Sequence, residues 1–308
     1  MIKPLKNGVW PTMITPFNDS GEIDYNHVEK LVEWYIERGV AGIFAVCQSS
    51  EMFFLTRKER VELVKFILKA VDGRVGVIAS GHVEDDIEKQ ISDINEMAET
   101  GAEAVVLLPN RLAAAADNEE IIKQNITKIL NESDNSITFG MYECPYPYKR
   151  VISADIVKFC ADTNRFSFLK DTCCDANQVK SKIIAGGDTL KVFNANCAQL
   201  MMTLQDGAAG FSGVMANFHP ELYVFVCENY KKDPELSARV QAYIGILSCV
   251  ETRNYPVCAK RYLQKFHFPE MSYYTRSKDA NDFIPSFITE LEQLEFVIND
   301  LKTTLKNR

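Results

Sequence analysis

The sequence lacks the features of a membrane, secreted or nucleic-acid-binding protein. Its longest apolar runs, such as Val105 to Leu108 and Ile137 to Met141, are far shorter than the roughly 20 residues of a membrane helix, so we expect no membrane span. The formal net charge is -8, which leaves no basic field for nucleic acid or an anionic lipid surface. The N-terminal residues show no apolar run that ends in a small-residue cleavage site, and we therefore expect no signal peptide.

Paired cysteine motifs are also missing. The nine cysteines are odd in number and scattered, they include the adjacent Cys173 and Cys174, and none forms a C-x-x-C pair. This usage argues against a disulfide framework and against a zinc site, and it is typical of a reduced cytoplasmic protein. We expect neither a metal nor an organic cofactor.

What the chain does have is ordinary globular composition. It contains 308 residues, of which 46% are hydrophobic and 25% are charged. That is enough apolar material for a large core and too much for global disorder. A single α/β unit of roughly 250 residues with an appendage fits this length.

Eight short apolar runs rich in β-forming residues alternate with segments of helical periodicity. The candidate strands lie near residues 8–13, 41–46, 75–80, 103–108, 137–142, 166–170, 190–194 and 209–214. The candidate helices cover residues 25–38, 57–71, 84–100, 118–131, 154–161, 176–184, 197–205 and 220–230. Nearly continuous apolar strands that alternate with helices indicate a parallel sheet that is buried on both faces.

The eight β-then-α units predict a (β/α)₈ barrel, or TIM barrel, over residues 1–231. The alternative is an open doubly wound sheet, which requires a glycine-rich phosphate loop after the first strand. Residues 15–21 contain no G-x-G-x-x-G. Beyond residue 231 strand patterns stop, and helical periodicity covers residues 234–250, 256–266 and 282–305. We therefore predict a C-terminal helical region, residues 232–308, that packs on the barrel.

Catalytic groups of such barrels lie at the carboxyl ends of the strands, and two residues there stand out. Lys170 ends the sixth apolar run, where burial would lower the pKa of its amine and free it to attack a ketone. From position alone, the commoner interpretation is a lysine that extends to solvent or pairs with Asp171. Tyr142 ends the fifth run, where it would either relay protons to Lys170 or fill the barrel as an aromatic side chain.

Polar side chains that follow other strands are candidates for substrate binding. Ser49 and Ser50 precede Glu51 at a strand-to-helix turn, where hydroxyls and backbone N–H groups can hold a carboxylate. Arg111 follows the fourth strand, either as a positive charge for an acidic substrate or as a solvated loop residue.

Several short motifs are each weak evidence of a protein family, but their order along the chain is stronger evidence than any one of them. They are residues 8–12 (GVWPT), 15–17 (TPF), 142–145 (YECP), 168–171 (FLKD) and 207–213 (GAAGFSG) with Ala216-Asn217. The set resembles the dihydrodipicolinate synthase and N-acetylneuraminate lyase superfamily of class I pyruvate aldolases, over nearly the whole chain. The resemblance implies a TIM barrel in which Lys170 forms an imine and Tyr142 shuttles a proton.

The resemblance also implies substrates and further roles. Lys170 would react with pyruvate or a related 2-oxo acid, and the partner would be an aldehyde. Ser49, Ser50 and the backbone near Ser212 would hold the carboxylate. Asn194 and Asn196, which follow the seventh strand, would bind substrate hydroxyls, and Arg111 would face an acidic group. The resemblance further implies a homotetramer built as a dimer of dimers.

Three departures from the family pattern narrow the expected activity. Residues 47–51 (CQSSE) keep a hydroxyl at Ser49 but lack the two glycines of the usual loop, no tyrosine follows Pro109, and Pro147 stands where the synthases place an arginine. We therefore predict an aldolase or lyase that resembles N-acetylneuraminate lyase and the 2-keto-3-deoxy sugar acid aldolases. The alternatives are a 4-hydroxy-tetrahydrodipicolinate synthase and a catalytically weakened ligand-binding barrel.

Overall fold

A computed structural model of the chain describes residues 4–282 and 284–306. The strands are β1 (Gly8–Val9), β2 (Gly42–Val46), β3 (Gly76–Ala79), β4 (Ala104–Leu107), β5 (Phe139–Tyr142), β6 (Phe166–Asp171), β7 (Lys191–Asn194) and β8 (Gly210–Phe211). The helices of the first 231 residues are α1 (Tyr25–Glu37), α2 (Arg57–Val71), α3 (Ile87–Ala98), α4 (Pro109–Leu112), α5 (Glu119–Glu132), α6 (Ala154–Asp162), α7 (Ala176–Gly186), α8 (Leu200–Gln205) and α9 (Pro220–Asn229). They are followed by α10 (Pro234–Leu247), α11 (Val257–Phe266) and α12 (Ser286–Lys306).

The eight strands form one parallel sheet that curls into a barrel. Ladder pairing runs in the order β1-β8-β7-β6-β5-β4-β3-β2. The remaining seam between β1 and β2 is joined by backbone bonds from Ala41 N to Val9 O (2.8 Å) and from Phe44 N to Pro11 O (2.9 Å). The predicted TIM barrel is therefore confirmed.

Strand β1 is shorter than the predicted run of residues 8–13. Pro11 has no N–H to donate, so a continuous ladder cannot pass through it, and pairing resumes only as an isolated bridge between Thr12 and Phe44. Strand β8 is likewise limited to two residues, and its pairing with β1 is Gly8 with Gly210 and Val9 with Phe211.

Aromatic side chains fill the barrel interior below that end. The Trp10 ring fits because β2 and β3 present glycines to it: a Cβ on Gly42 would lie 2.2 Å from the ring, and one on Gly76 would lie 2.5 Å from it. Phe168 contacts the rings of Trp10 and Phe44, with centroids 6.3 and 5.9 Å apart. This packed layer forms a floor, so the open space of the barrel lies above it at the carboxyl ends of the strands.

The C-terminal helices pack beside the barrel. Helix α10 contacts α8, α9 and the 3-10 turn Cys197–Gln199, which follows β7. The first predicted helix of this region ends earlier than residue 250, because α10 gives way to a 3-10 turn at Ser248–Thr252. The division of the chain at residue 231 stays a prediction. Within residues 4–282 and 284–306, no helix combines the length and apolar character needed to cross a membrane.

Candidate active site

Lys170 and Tyr142 lie side by side at the carboxyl ends of β6 and β5. They are partners in the parallel ladder, and alternation along each strand turns both side chains inward, Lys170 on the same face as Phe168. The Lys170 Nζ lies 4.2 Å from the centroid of the Tyr142 ring. Both residues are only 3% exposed. The two predicted reacting groups are thus brought together above the aromatic floor.

The Lys170 amine is buried without a counter-ion in direct contact. Among the described residues, its Nζ forms no hydrogen bond and no ion pair. Burial lowers the pKa of Lys170 below its usual range, while the Cys47 and Cys144 thiols and the Glu251 carboxylate act in the opposite direction. A larger share of the lysine is consequently the neutral amine, which is the form that attacks carbonyl carbon.

The Tyr142 phenol is held in its protonated form. Burial raises the pKa of Tyr142 well above its usual range, and the neighbouring Cys144 and Cys47 thiols add to the rise. The Cys144 thiol, whose own pKa burial raises to about 11, also lies within 3.3 Å of Gln48 Oε1. Near neutral pH the phenol is therefore a proton donor and a poor base.

A cavity of about 490 Å³ opens above these two side chains. Four of the predicted site residues line it, namely Lys170, Tyr142, Ser49 and Asn196. The backbone N–H groups of Ser50 and Glu51 donate the hydrogen bonds of this turn. The backbone N–H of Ser49 has no acceptor among the described residues. Ser49 thus brings to the wall of the cavity a residue whose N–H is not used by the turn itself.

Ser50 and Ser212 are not among the residues that line the cavity. The Ser50 hydroxyl lies 2.7 Å from the carbonyl oxygens of both Met13 and Ala45 and accepts from Cys47 N at 3.0 Å. The Ser212 hydroxyl donates to Trp10 O at 2.9 Å. Both side chains therefore hold loops in place beside the site.

Asn194 and Arg111 also point away from the cavity. The Asn194 amide donates to Thr203 Oγ1 at 3.0 Å and accepts from Asn196 N at 2.7 Å, so it shapes the loop that presents Asn196. The Arg111 guanidinium pairs with Asp85 beside a separate surface pocket. The geometry thus gives Asn194 a supporting position and leaves Arg111 outside the site.

A buried charge cluster, Lys182 with Glu143 and Asp171, lies behind the strands. Glu143 and Asp171 directly follow Tyr142 and Lys170, so alternation turns their side chains outward toward α7. The Lys182 Nζ, on α7, lies 2.5 Å from Glu143 Oε1 and 2.5 Å from Asp171 Oδ2. Asp171 therefore pairs with Lys182 and not with Lys170. This cluster links the backs of β5 and β6, and it was not predicted from the sequence.

A second buried cluster ties the turn after β2 to the C-terminal region. Glu51 Oε1 accepts from Lys260 Nζ at 2.8 Å, and Glu51 Oε2 accepts from the backbone N–H groups of Arg276 and Ser277, each at 2.7 Å. Burial lowers the pKa of Lys260 to about 8, and Glu51 opposes that change. Lys260 is thus a second buried lysine, but it is ion-paired and does not line the cavity.

The connection between α10 and α11 forms one wall of the cavity. We call residues 248–256 the mouth segment. Its lining residues are Ser248, Glu251, Tyr255 and Pro256. The Tyr255 hydroxyl accepts from Asn217 Nδ2 at 3.1 Å and lies beside Ser49. None of these residues was predicted from the sequence, because each reaches the site only through the packing of the C-terminal helices.

Relatives with known names share this chain's sequence over most of its length. The 4-hydroxy-tetrahydrodipicolinate synthase of Clostridium perfringens is 26% identical over 259 residues, which cover 83% of this chain and 87% of the relative. The enzyme of the same name from Methanococcus vannielii is 26% identical over 227 residues, which cover 73% and 75%.

Solved structures share the fold. The 4-hydroxy-tetrahydrodipicolinate synthase of Methylacidiphilum fumariolicum superposes with a TM-score of 0.86 at 20% identity and covers 98% of both chains. A dihydrodipicolinate synthase of Acinetobacter baumannii, solved in complex with pyruvate, gives 0.85 at 21% identity and covers 96% of this chain and 99% of its own. The model of the dihydrodipicolinate synthetase family matches residues 5–268. The resemblance stated from the motifs is confirmed, and the chain belongs to the dihydrodipicolinate synthetase family.

Proposed function

We propose that this protein is a class I aldolase that forms a Schiff base between Lys170 and pyruvate or a related 2-oxo acid. The observation that carries the proposal is the Lys170 amine: it is buried, has no ionic partner among the described residues, and opens into the cavity above the Tyr142 ring. A lysine in that setting is more nucleophilic than one that is exposed or ion-paired. Membership of the dihydrodipicolinate synthetase family supports the same chemistry.

The reaction begins when the Lys170 nitrogen adds to the ketone carbon of the 2-oxo acid. The carbinolamine then loses its hydroxyl as water, with the Tyr142 phenol donating the proton, and a protonated imine remains. Its positive nitrogen accepts the electron pair that is released when a bond to the neighbouring carbon breaks. In one direction the broken bond is carbon–carbon, and an aldehyde leaves as the Tyr142 phenolate, formed in the dehydration step, accepts the proton of its hydroxyl. In the other, the enamine attacks an aldehyde and forms that bond.

The carboxylate of the 2-oxo acid binds at the turn after β2. Ser49 lines the cavity, and its hydroxyl, which lies beside the Tyr255 hydroxyl, and its N–H can both donate to an anion. Ser50 and the backbone near Ser212 support this subsite from behind, and we assign them positioning roles. Asn196, with Asn194 holding its loop, binds a hydroxyl of the aldehyde partner. Arg111 has no part in this scheme, because its guanidinium is paired with Asp85.

A second candidate function is 4-hydroxy-tetrahydrodipicolinate synthesis, since the relatives above carry that name. The second substrate of that reaction carries a carboxylate, and the cavity offers no arginine to it within the described residues. Arg150 instead donates to the carbonyl oxygens of Ala114 and Asp117 at the surface. Two lysines, Lys149 and Lys278, do line the cavity, but neither offers the bidentate geometry of an arginine, and Lys149 donates to Thr172 O. An aldehyde partner with hydroxyl groups therefore fits the cavity better than an amino-acid semialdehyde.

We also propose that the protein assembles as a homotetramer. Three large apolar side chains are exposed on helices that pack against one another: Ile184 on α7, Met202 on α8 and Ile246 on α10. Exposed apolar groups on adjoining elements are typical of subunit interfaces.

Reductive trapping tests the proposed chemistry. Borohydride added with pyruvate should leave a covalent adduct on Lys170, because reduction fixes the reversible imine. Peptide mapping by mass spectrometry should find the adduct in the wild type and not in Lys170→Arg, since arginine keeps its proton. Lys260 is the internal control, as a buried but ion-paired lysine. An unmodified protein, or an adduct on Lys260, would contradict the assignment.

A further inference from the structure

Three aromatic side chains line the cavity that contains Lys170 and have no part in the scheme above. They are Phe53 and Phe54, which follow the turn after β2, and Tyr146, which follows β5. The ring centroid of Tyr146 lies 4.9 Å from that of Phe53 and 6.4 Å from that of Phe54. We call these three residues the rim cluster.

Two rings of the rim cluster are open to solvent. Phe54 is 41% exposed and Tyr146 is 44% exposed, although both side chains are large and mostly apolar. Apolar side chains that stay open around a cavity are typical of a surface that binds a ligand. An apolar group of a substrate that covered these rings would remove their surface from water, which favours binding.

The backbone that carries the two open rings is held in place by hydrogen bonds. Asn110 Nδ2 donates to Tyr146 O at 2.9 Å. Phe54 N donates to Glu51 O at 2.8 Å, and Phe54 O accepts from Arg276 Nη1 at 3.0 Å. The rings are therefore presented from fixed positions, so little freedom is lost when a ligand packs against them.

The loop after β5 offers a ring to the cavity and few free acceptors. Asn110 Nδ2 also lies 2.8 Å from Cys144 O and 2.7 Å from Tyr148 O, so three carbonyl oxygens of this loop converge on one buried amide. A polyhydroxylated chain needs several hydrogen-bonding groups along its length, whereas a flat ring needs apolar and aromatic surface. This part of the cavity wall suits the flat ring.

We propose that the acceptor aldehyde carries an aromatic ring that packs against Tyr146 and Phe54. The proposal rests on the Schiff-base function proposed above and names the class of its second substrate. The pyruvate methyl carbon loses one proton and bonds to the aldehyde carbon, and the aldehyde oxygen gains one proton and becomes a hydroxyl, so no further reactant is consumed. The hydroxyl assigned to Asn196 is then a substituent of this aromatic acceptor.

Acceptor preference measures this assignment. The enzyme is assayed with pyruvate and either benzaldehyde, which has a ring, or glyceraldehyde, which is hydroxylated and has none. The aldol product is quantified by mass spectrometry at initial rates, and kcat/KM is obtained for each aldehyde. The two aldehydes differ in intrinsic reactivity, but that difference cancels when the ratio of their kcat/KM values is compared between variants.

Substitutions at the rim cluster separate the effect of a ring from that of apolar bulk. Tyr146→Phe keeps the ring and should leave the benzaldehyde-to-glyceraldehyde ratio unchanged. Tyr146→Leu and Phe54→Leu keep apolar bulk and should each lower the ratio roughly 3- to 10-fold, because aromatic pairs are favoured beyond the area that they bury. Phe296→Leu is the matched control: it removes a ring that is 74% exposed on α12, outside the cavity lining, and should behave as the wild type.

Borohydride trapping on the same proteins separates this inference from the proposed function, because trapping needs pyruvate but no aldehyde. We expect an adduct on Lys170 in the wild type and in every variant, with a lowered ratio only in Tyr146→Leu and Phe54→Leu. An adduct with an unchanged ratio in Tyr146→Leu, or a wild type that does not convert benzaldehyde, would overturn the aromatic acceptor alone. Altered sedimentation of Tyr146→Leu with an unchanged ratio would also overturn it, since the rings would then contact a second copy of the chain. A wild type that forms no adduct would overturn the Schiff-base function itself.

Discussion

Replacing Lys182 by methionine tests whether the buried charge cluster holds the catalytic strands in place. The Lys182 ammonium lies 2.5 Å from oxygens of both Glu143 and Asp171, and the three residues are at most 1% exposed. Methionine keeps an unbranched apolar side chain but removes the charge, which leaves two carboxylates buried together. Removing one partner of a buried ion pair costs about 3–5 kcal/mol. We expect Lys182→Met to lower the free energy of unfolding by that amount near neutral pH.

The loss should shrink as the pH falls. Burial raises the pKa of Glu143, the charge of Asp171 raises it further, and Lys182 opposes both. Without Lys182, the folded variant binds a proton that the unfolded chain releases above its own carboxyl pKa of about 4.3. A carboxyl group whose pKa is higher in the folded than in the unfolded chain contributes stability that is fully present below its pKa in the unfolded chain. That stability is lost as the pH rises through its pKa in the folded chain. Acidification should thus restore up to about 1.4 kcal/mol per pH unit.

Lys182 itself does not titrate in this range. Burial lowers its pKa, but Glu143 and Asp171 outweigh that effect and raise the pKa above the usual lysine value. A lysine whose pKa is raised by folding contributes stability that is fully present below its pKa in the unfolded chain. That stability is lost only as the pH rises through its pKa in the folded chain. The contribution of Lys182 in the wild type is therefore constant between about pH 5.5 and 7.5, and the pH dependence of the difference comes from the carboxylates, whose pKa is raised further when Lys182 is removed.

Urea unfolding followed by circular dichroism at about pH 7.5 and about pH 5.5 measures both effects. Lys180→Met is the matched control, since Lys180 lies on the same helix but is exposed and pairs with Asp206 at the surface. Its cost should stay below about 1 kcal/mol at either pH. The reasoning is wrong if Lys182→Met costs no more than Lys180→Met, or if its deficit grows on acidification.

Three further outcomes are expected. Tyr142→Phe should lower kcat on the order of 10²-fold or more with a smaller change in binding and an unchanged circular dichroism spectrum, and an unchanged kcat would leave Tyr142 as a barrel-filling aromatic. Turnover of pyruvate with aspartate semialdehyde should fall well below about 10 s⁻¹, the median enzyme rate, because Pro147 supplies no cation; a rate at or above that value would show that another group, such as Lys149, binds the second carboxylate. Sedimentation should give a tetramer of the 34.9 kDa chain, and a single species at the monomer mass would refute the assembly.

The fold and the two reacting side chains could be predicted because both follow from regular structure. Lys170 and Tyr142 belong to strands, where alternation determines which face a side chain occupies. Ser50 and Ser212 lie just beyond strand ends, where the backbone turns and alternation no longer applies. A hydroxyl there can face a substrate or a carbonyl, and the sequence does not distinguish the two. In this structure both hydroxyls lie against carbonyl oxygens.

Other site residues escaped prediction for physical reasons of their own. Periodicity predicts the helices on either side of the mouth segment, but it does not show which barrel residues their connection will face. Glu251 and Tyr255 therefore carried no signal. The position of Lys182, in contrast, could have been inferred from the sequence, because it lies three residues after the buried Val179, on the inward face of α7. A lysine at such a position implies buried acidic partners, and the acids that directly follow Tyr142 and Lys170 are the ones it finds.

The origin of the cavity walls has a consequence for enzyme engineering. The amine and the phenol stand on neighbouring strands whose spacing is set by a hydrogen-bonded ladder, so changes there disturb the whole barrel. Another wall comes from the mouth segment, a connection between two helices that belongs to no strand. A combinatorial library confined to Ser248 would therefore vary that wall while leaving the imine-forming pair intact, and also the turn of Ser49, beside which Tyr255 lies. Directed evolution toward a new aldehyde acceptor would begin at that position.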